Sequence, residues 1–318
     1  MSTKSNDQGR AYEYIFLCTL QSEISNFRPA QIDQNSSFLA AQHAWNTLDK
    51  TDQDIYKISA KAAVVYIFQL EPRITEDGGD LLELYIQPDK AGQEGDVRDI
   101  IIVRRNITWE IGLSLKHNHF AVKHSRLSPT IDFGDKWFGV PCSQKYWKAV
   151  KPIFTYLSDE AKKHTKFKDL PDKDNDVYRP IVQAFMDEIK RQYTTHPEIP
   201  TKMVEYLLGE YDFYKVISCD TKHITEIQSY NTHGTLNQPA KQICPTIHIP
   251  IAILPTRIIS LDFVPQKSNT AELYLDGGWS FSFRIHNAES YVKPTLKFDI
   301  QFLGVPITII TINCPWNL

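Results

Sequence analysis

The stretch from 109 to 119, which runs Trp, Glu, Ile, Gly, Leu, Ser, Leu, Lys, His, Asn, His, alternates too regularly to sit anywhere but in a strand. Side chains of a strand point to opposite faces with a period of two, so Glu110, Gly112, Ser114 and Lys116 share one face and Ile111, Leu113 and Leu115 the other. The apolar face backs onto a core. The opposite face carries a carboxylate, a hydroxyl and an amine, which requires something polar above it or a cover of loops.

Immediately upstream, Asp96 and Asp99 stand at the entrance of the β-branched run 100–103, and Arg104, Arg105, Asn106 and Ile107 supply a turn with Asn as its former. A hairpin of the two runs brings Asp99 near Gly112 and Ser114 and gathers acid and lysine at one end of a two-stranded ribbon. Converging carboxylates attract an oxygen-preferring cation such as magnesium. A lysine beside it can orient or deprotonate a water, or stabilise a developing phosphoryl charge. These are the parts needed to hydrolyse a phosphodiester.

Composition narrows the alternatives. A formal net charge of -3 over 318 residues gives no global basic signature, so a nucleic-acid partner requires local patches. Five scattered cysteines without a CxxC pair read as reduced thiols of a cytoplasmic protein, and neither a signal peptide nor a membrane-length apolar run is present. There is no G-x-S-x-G elbow, P-loop or dinucleotide fingerprint, which leaves acyl transfer and nucleotide-driven chemistry without support.

In chain order, helical periodicity covers 10–25, with Asp7 as a possible cap and Glu13 beside the apolar stripe, and then two helices within 36–71, the first capped by Ser36 and Ser37. A strand at 81–86 precedes the ribbon. Residues 119–127 read as a short helix on which His119, Lys123 and Arg126 share a face at spacings of four and three. With His117, Asn118 and His124 they form a cationic patch, either a solvated face or a set of phosphate contacts. His117, His119 and His124 also offer imidazoles to zinc, without an evident fourth ligand. Helices follow at 143–163, 176–193 and 200–209, then strands at 213–218 and 224–229. From about 240, prolines punctuate strands at 257–264, 271–275, 280–285, 295–303 and 307–312, with a hairpin turn at Asp276, Gly277 and Gly278. This divides the chain into a core at 1–235 with helical insertions and a β-rich region at 236–318.

Asp99 on one strand, with Ser114 and Lys116 spaced by two on the next, resembles the PD-(D/E)XK nuclease superfamily, except that Ser114 stands where an acid is usual. Glu110, on the same face, is the alternative second acid, and Asp96 is the rival first acid. Residues 8–13, 95–99, 109–119, 123–127 and 284–288 together resemble the HaeIII-type type II restriction endonucleases. That resemblance implies an α/β (α+β) core with a central mixed sheet flanked by helices. It also implies magnesium-dependent cleavage of duplex DNA at GGCC with blunt ends, and possible action as a homodimer on the palindrome. On the same basis Asp99, Glu110 and Glu13 become metal ligands, and Asp99, Glu110, Lys116, Asp96 and Ser114 the catalytic set. A DNA-binding protein without cleavage, motivated by Ser114, and an RNA nuclease are the alternatives.

The β-rich region then becomes the candidate reader of sequence. In 279–286, Trp279, Phe281, Phe283 and Ile285 share one face and Ser280, Ser282, Arg284 and His286 the other. Arg is the commonest reader of guanine O6 and N7 in the major groove. Arg284 is therefore expected on DNA with His286, Asn287 and Lys297, or else paired with Asp299 as a staple between strands.

Overall fold

A computed structural model describes residues 2–76, 79–88, 90, 95–118 and 121–316. The fold is α+β, as the sequence implies. Its residues group into two compact units, each assembled from separated segments: 1–120, 209–252 and 307–318 form the first, and 121–208 with 253–306 the second. The position 235/236 lies inside the first unit.

The first unit is built on a seven-stranded mixed sheet. Its order is β1 (Ala30–Ile32), β2 (Leu82–Ile86), β3 (Ile100–Arg104), β4 (Trp109–His117), β6 (Phe213–Cys219), β7 (Ile224–Tyr230) and β12 (Thr311–Pro315), with β5 belonging to the second unit. The pairs β1–β2 and β4–β6 are parallel and the others antiparallel. Helices α1 (Ser2–Ile24), α2 (Ser36–Asn46) and α3 (Lys50–Leu70) belong to this unit. Capping differs in detail from expectation. Asn35, not Ser36 or Ser37, accepts the Phe38 amide at the start of α2, and Asp49 accepts that of Asp52 at the start of α3. Each such cap satisfies an otherwise orphaned amide and is worth about 1 kcal/mol.

The apolar alternation of β4 does what the sequence requires. Ile111, Leu113 and Leu115 are buried with Ile100, Ile102, Leu84, Tyr214 and Val216 against Tyr12, Phe16, Leu20, Tyr56, Ala60 and Ile67 of the helices. Burying one such aliphatic side chain contributes roughly 1.5–3 kcal/mol, so a one-residue slip of β4 would forfeit several such gains at once.

The second unit has a five-stranded antiparallel sheet in the order β5 (Ala121–Leu127), β11 (Leu296–Gly304), β10 (Ser280–His286), β9 (Thr270–Leu275) and β8 (Ile258–Phe263). Its helices are α4 (Phe133–Phe138), α5 (Gln144–Lys162), α6 (Arg179–Tyr193) and α7 (Ile199–Leu208). Phe281, Phe283 and Ile285 are buried as expected, and the inner face meets the helices through aromatic rings, Phe298 edge-on to Phe185 at 4.8 Å and Phe283 stacked on Trp137 at 6.0 Å.

Two expectations fail here. Residues 121–127 form a strand, not a helix: Ser125 and Leu127 are buried while Arg126 is exposed, a period of two imposed by pairing with β11. Positions 123 and 126 are therefore not brought onto one helix face. The final strand is Thr311–Pro315, not 307–312, and it joins the first unit's sheet instead of the other C-terminal strands.

Candidate active site and nucleic-acid interface

The β3–β4 ribbon forms as the sequence predicts, with Ile100 opposite Leu113 and Val103 opposite Glu110. Pairing continues one residue beyond β3, since the Asp99 amide donates to the Leu113 carbonyl at 2.7 Å. Asp99 is thereby fixed opposite Ser114. Its Oδ2 accepts from the Leu115 amide at 2.6 Å, Lys116 Nζ at 3.0 Å and Ser114 Oγ at 3.3 Å. The Asp99 and Lys116 side chains keep 25% and 27% of their surface exposed, enough for a ligand to reach both.

Glu110 and Asp96 are engaged elsewhere. Arg98 lies across Gly112, where an added Cβ would come within 1.9 Å of its Cδ. Arg98 Nη1 donates to Glu110 Oε1 at 2.8 Å, while Nε and Nη2 donate to the two Asp96 oxygens, each at 2.8 Å. The guanidinium also sits 3.9 Å from the centre of the Tyr211 ring, a cation–π contact. Burial alone would raise the Asp96 carboxyl, but hydrogen bonds from Arg98 and Gln87 outweigh it and hold it below the usual carboxylate range. The structure thus brings Asp99, Ser114 and Lys116 together and sets Asp96 and Glu110 in a separate clamp on Arg98. Glu13 lines a cavity of about 270 Å³ with Arg10, Ser36 and Gln87. The Gln87 amide donates to the Asp99 carbonyl at 2.9 Å, so that cavity adjoins the strand end that carries Asp99.

Two residues of this face were missed by sequence reasoning. Arg98 is one; its place directly before Asp99 and two residues after Asp96 was the available signal. Lys215 is the other. It pairs in register with Ser114 on β4 and Gln228 on β7, and it is buried. Burial first, then the positive charge of Lys116, push its amine down to about 7 against the opposing pull of Glu226. A lone lysine in the otherwise uncharged run 213–219 was a readable sign.

His117 and Asn118 leave β4 on the other side. His117 Nε2 lies 2.7 Å from Asp220 Oδ2 and its Nδ1 3.0 Å from the Tyr56 hydroxyl, while Asn118, at φ 51°, donates to Asp220 at 2.8 Å. Burial raises the Asp220 carboxyl, and the bonds from His117 and Asn118 overcome it to leave the group lowered. His119 lies outside the described residues, as do the side chains of Lys123 and His124. Among the described residues, no group of three or more His, Cys, Asp or Glu side chains is arranged to hold a metal ion; two of the three imidazoles offered to zinc, those of His119 and His124, lie outside that set.

The second unit gathers the remaining cationic positions. On the outer face of its sheet, Arg284 (β10) and Asp299 (β11) are cross-strand neighbours, and His286, Lys297 and Arg126 form the adjoining row. Asp299 accepts from Arg284 Nη2 at 3.2 Å, its Oδ2 lies 2.7 Å from His286 Nε2, and its Oδ1 lies 3.4 Å from Lys297 Nζ. Asn287, just past β10, donates to the Glu289 carbonyl of its own loop and accepts from the hydroxyl of Tyr178 at the start of α6.

A mixed sheet with helices on its apolar face is consistent with a restriction-endonuclease-like fold. The family-level comparison agrees. The profile of the HaeIII restriction endonuclease matches residues 9–306. The type II restriction enzyme HaeIII of Haemophilus aegyptius is 52% identical over 318 residues, covering 100% of both chains. The chain belongs to the HaeIII restriction endonuclease family and is a type II site-specific deoxyribonuclease. No solved structure matches it. Among the described residues no helix is long and apolar enough to cross a membrane, and all five cysteines are free.

Proposed function

We propose that this endonuclease hydrolyses duplex DNA at GGCC, leaving blunt ends, with magnesium as its cofactor and the β3–β4 ribbon as its catalytic centre. The observation that carries the reading is the convergence of Lys116 Nζ and the Leu115 amide on Asp99 Oδ2. Magnesium retains several waters and takes one or two carboxylates together with substrate phosphates. Asp99 fits that modest demand without a cage of protein ligands. Bound there, the ion would supply Lewis-acid stabilisation of the phosphoryl charge and lower the pKa of a water.

The chain's own groups then divide the work. Lys116, held against Asp99, orients the attacking water and neutralises charge that develops on the phosphoryl oxygens. Ser114 and the Leu115 amide fix the Asp99 rotamer by donating to Oδ2. Asp96 and Glu110 hold Arg98 in place and act on the reaction through it. The outer face of the second unit's sheet, with Arg126, Lys297, His286 and Arg284, contacts the DNA, and a palindromic site is met by two copies related by a twofold axis.

The test is incubation of supercoiled plasmid containing GGCC with protein and magnesium beside a chelator control. Discrete blunt fragments are expected only with the metal. A gel shift without cutting across several divalent ions, or degraded RNA beside intact plasmid, would overturn the proposal.

A further inference from the structure

The layering of the cluster on the outer face of β5, β11 and β10 is the reverse of a strand staple. A staple buries its cation and meets it with an acid. Here the acid is the buried member: the Asp299 side chain is 11% exposed, beneath an Arg284 side chain that is 56% exposed and a Lys297 that is 30% exposed. His286 adds a third partner at 2.7 Å, and its other ring nitrogen lies 2.8 Å from the Asn287 carbonyl, so the ring is braced on both sides. Arg126 stands next to Lys297 in register and adds a further cation to this row, while the next acid on the face, Glu272 of β9, pairs with Ser282. Ser282, next on the same face of β10, adds no charge and little bulk beside Arg284.

A guanidinium on an exposed strand samples many rotamers, and each rotamer lost on binding DNA costs affinity. A buried carboxylate that accepts from one end of the fork removes that freedom in advance and aims the remaining donors outward. Resting on the DNA-binding reading of this face, we propose that Asp299 is a specificity-determining positioning residue. It orients Arg284, and with it Lys297 and His286, so that the fork meets the O6 and N7 edge of a guanine instead of swinging to whichever phosphate is nearest. The shared chemistry is an oxygen or nitrogen acceptor on duplex DNA, and guanine edges and phosphates are separated by experiment.

Electrostatics makes the separation sharp. If the face were only a phosphate surface, removing a negative charge from its floor would tighten binding to every duplex alike. If Asp299 orients a base reader, its loss lowers discrimination while leaving non-specific affinity unchanged or higher. Binding is measured by fluorescence anisotropy in chelator, with a duplex containing GGCC and one with a single base pair of that site changed. For D299N the ratio of the two affinities is expected to fall about tenfold or more, the order a bidentate guanine contact supplies. R284K, which keeps the charge and the Asp299 contact but removes the fork, is expected to lose discrimination to a similar extent. The double variant is expected to add little to either. R284K also tests the idea should D299N fold poorly. An unchanged ratio in D299N or R284K overturns the inference, as does a lowered melting temperature with preserved discrimination, which marks a staple. If Arg284→Ala lowers cognate affinity while D299N does not alter the ratio, only the role of Asp299 fails. If neither Arg284→Ala nor Lys297→Ala changes binding to any duplex, the assignment of this face to DNA fails with it.

Discussion

Asp99 and Asp299 are built from the same ingredients and used in opposite senses. Each is a carboxylate on a sheet face that accepts from a cationic side chain of the paired strand, Lys116 for Asp99 and Arg284 for Asp299. Around Asp99 the donors include a backbone amide and a hydroxyl, and the acid remains as open as its lysine, 25% against 27%. Around Asp299 the acid is sunk to 11% and Arg284 above it stands at 56%. An accessible carboxylate suits a cation as ligand; accessible cations over a sunken carboxylate suit an anion. On the proposed assignment, the order of burial, more than residue type, separates the hydrolytic centre from the DNA-binding face.

The largest effect should come from the first cluster. Asp99→Ala and Lys116→Ala are each expected to cost several orders of magnitude in single-turnover cleavage while the protein still shifts cognate DNA in gels. Normal cleavage by Asp99→Ala together with loss in Asp96→Ala would move the centre to the Arg98 clamp. Next in size are the clamp's own acids. If Glu110 and Asp96 act through Arg98 as proposed, Glu110→Gln and Asp96→Asn should each lower the rate by about 10–100-fold, the usual cost of removing an outer hydrogen-bonding partner. A loss as deep as that of Asp99→Ala would make either acid a direct ligand. On the second cluster, Arg126→Ala should weaken cognate and unrelated duplexes together and flatten the log–log salt dependence by about one unit. A sequence-dependent loss would reassign Arg126 to base contact.

The smallest effect concerns Lys215 and is read in stability. Its amine is pushed down to about 7 in the folded protein from 10.5. Between those two values the unfolded chain holds a proton that the folded chain lacks, so this group makes stability rise as pH climbs through that window. Below 7 its unfavourable contribution is full and constant. Lys215→Met should therefore raise the thermal midpoint near neutral pH by on the order of 5 °C and abolish that part of the rise towards pH 10. A lower midpoint in the variant would show the amine to be well compensated where it lies.

The parts of the molecule that were legible in the sequence are those in which burial alone decides the pattern. The alternation of 109–117 and of 279–286 placed Leu113, Leu115, Phe281 and Phe283 inside without ambiguity, and the spacing of Asp99, Ser114 and Lys116 followed from the ribbon. The stretch 121–127 was misread because its basic positions repeat at three and four as well as at two, and only pairing with a strand about 170 residues away selects between them. Such non-local pairing leaves no local signature. The same limit hid the clamp. Glu110 shares a face with Lys116, and on that basis the sequence offered it as the second acid. What the sequence could not display is that Gly112 opens a groove for Arg98 between them.

The chain order of the first unit's sheet sets when it can be finished. Its outermost strands come from residues 30–32 and 311–315, so a nascent chain emerging from its N-terminus holds Asp99 and Lys116 long before the sheet around them is complete. Until the last strand arrives, β7 presents an unpaired edge, with its amides and carbonyls available to any other extended segment. A chain interrupted within its final strand is thus expected to carry Asp99 and Lys116 and still be a template for aggregation.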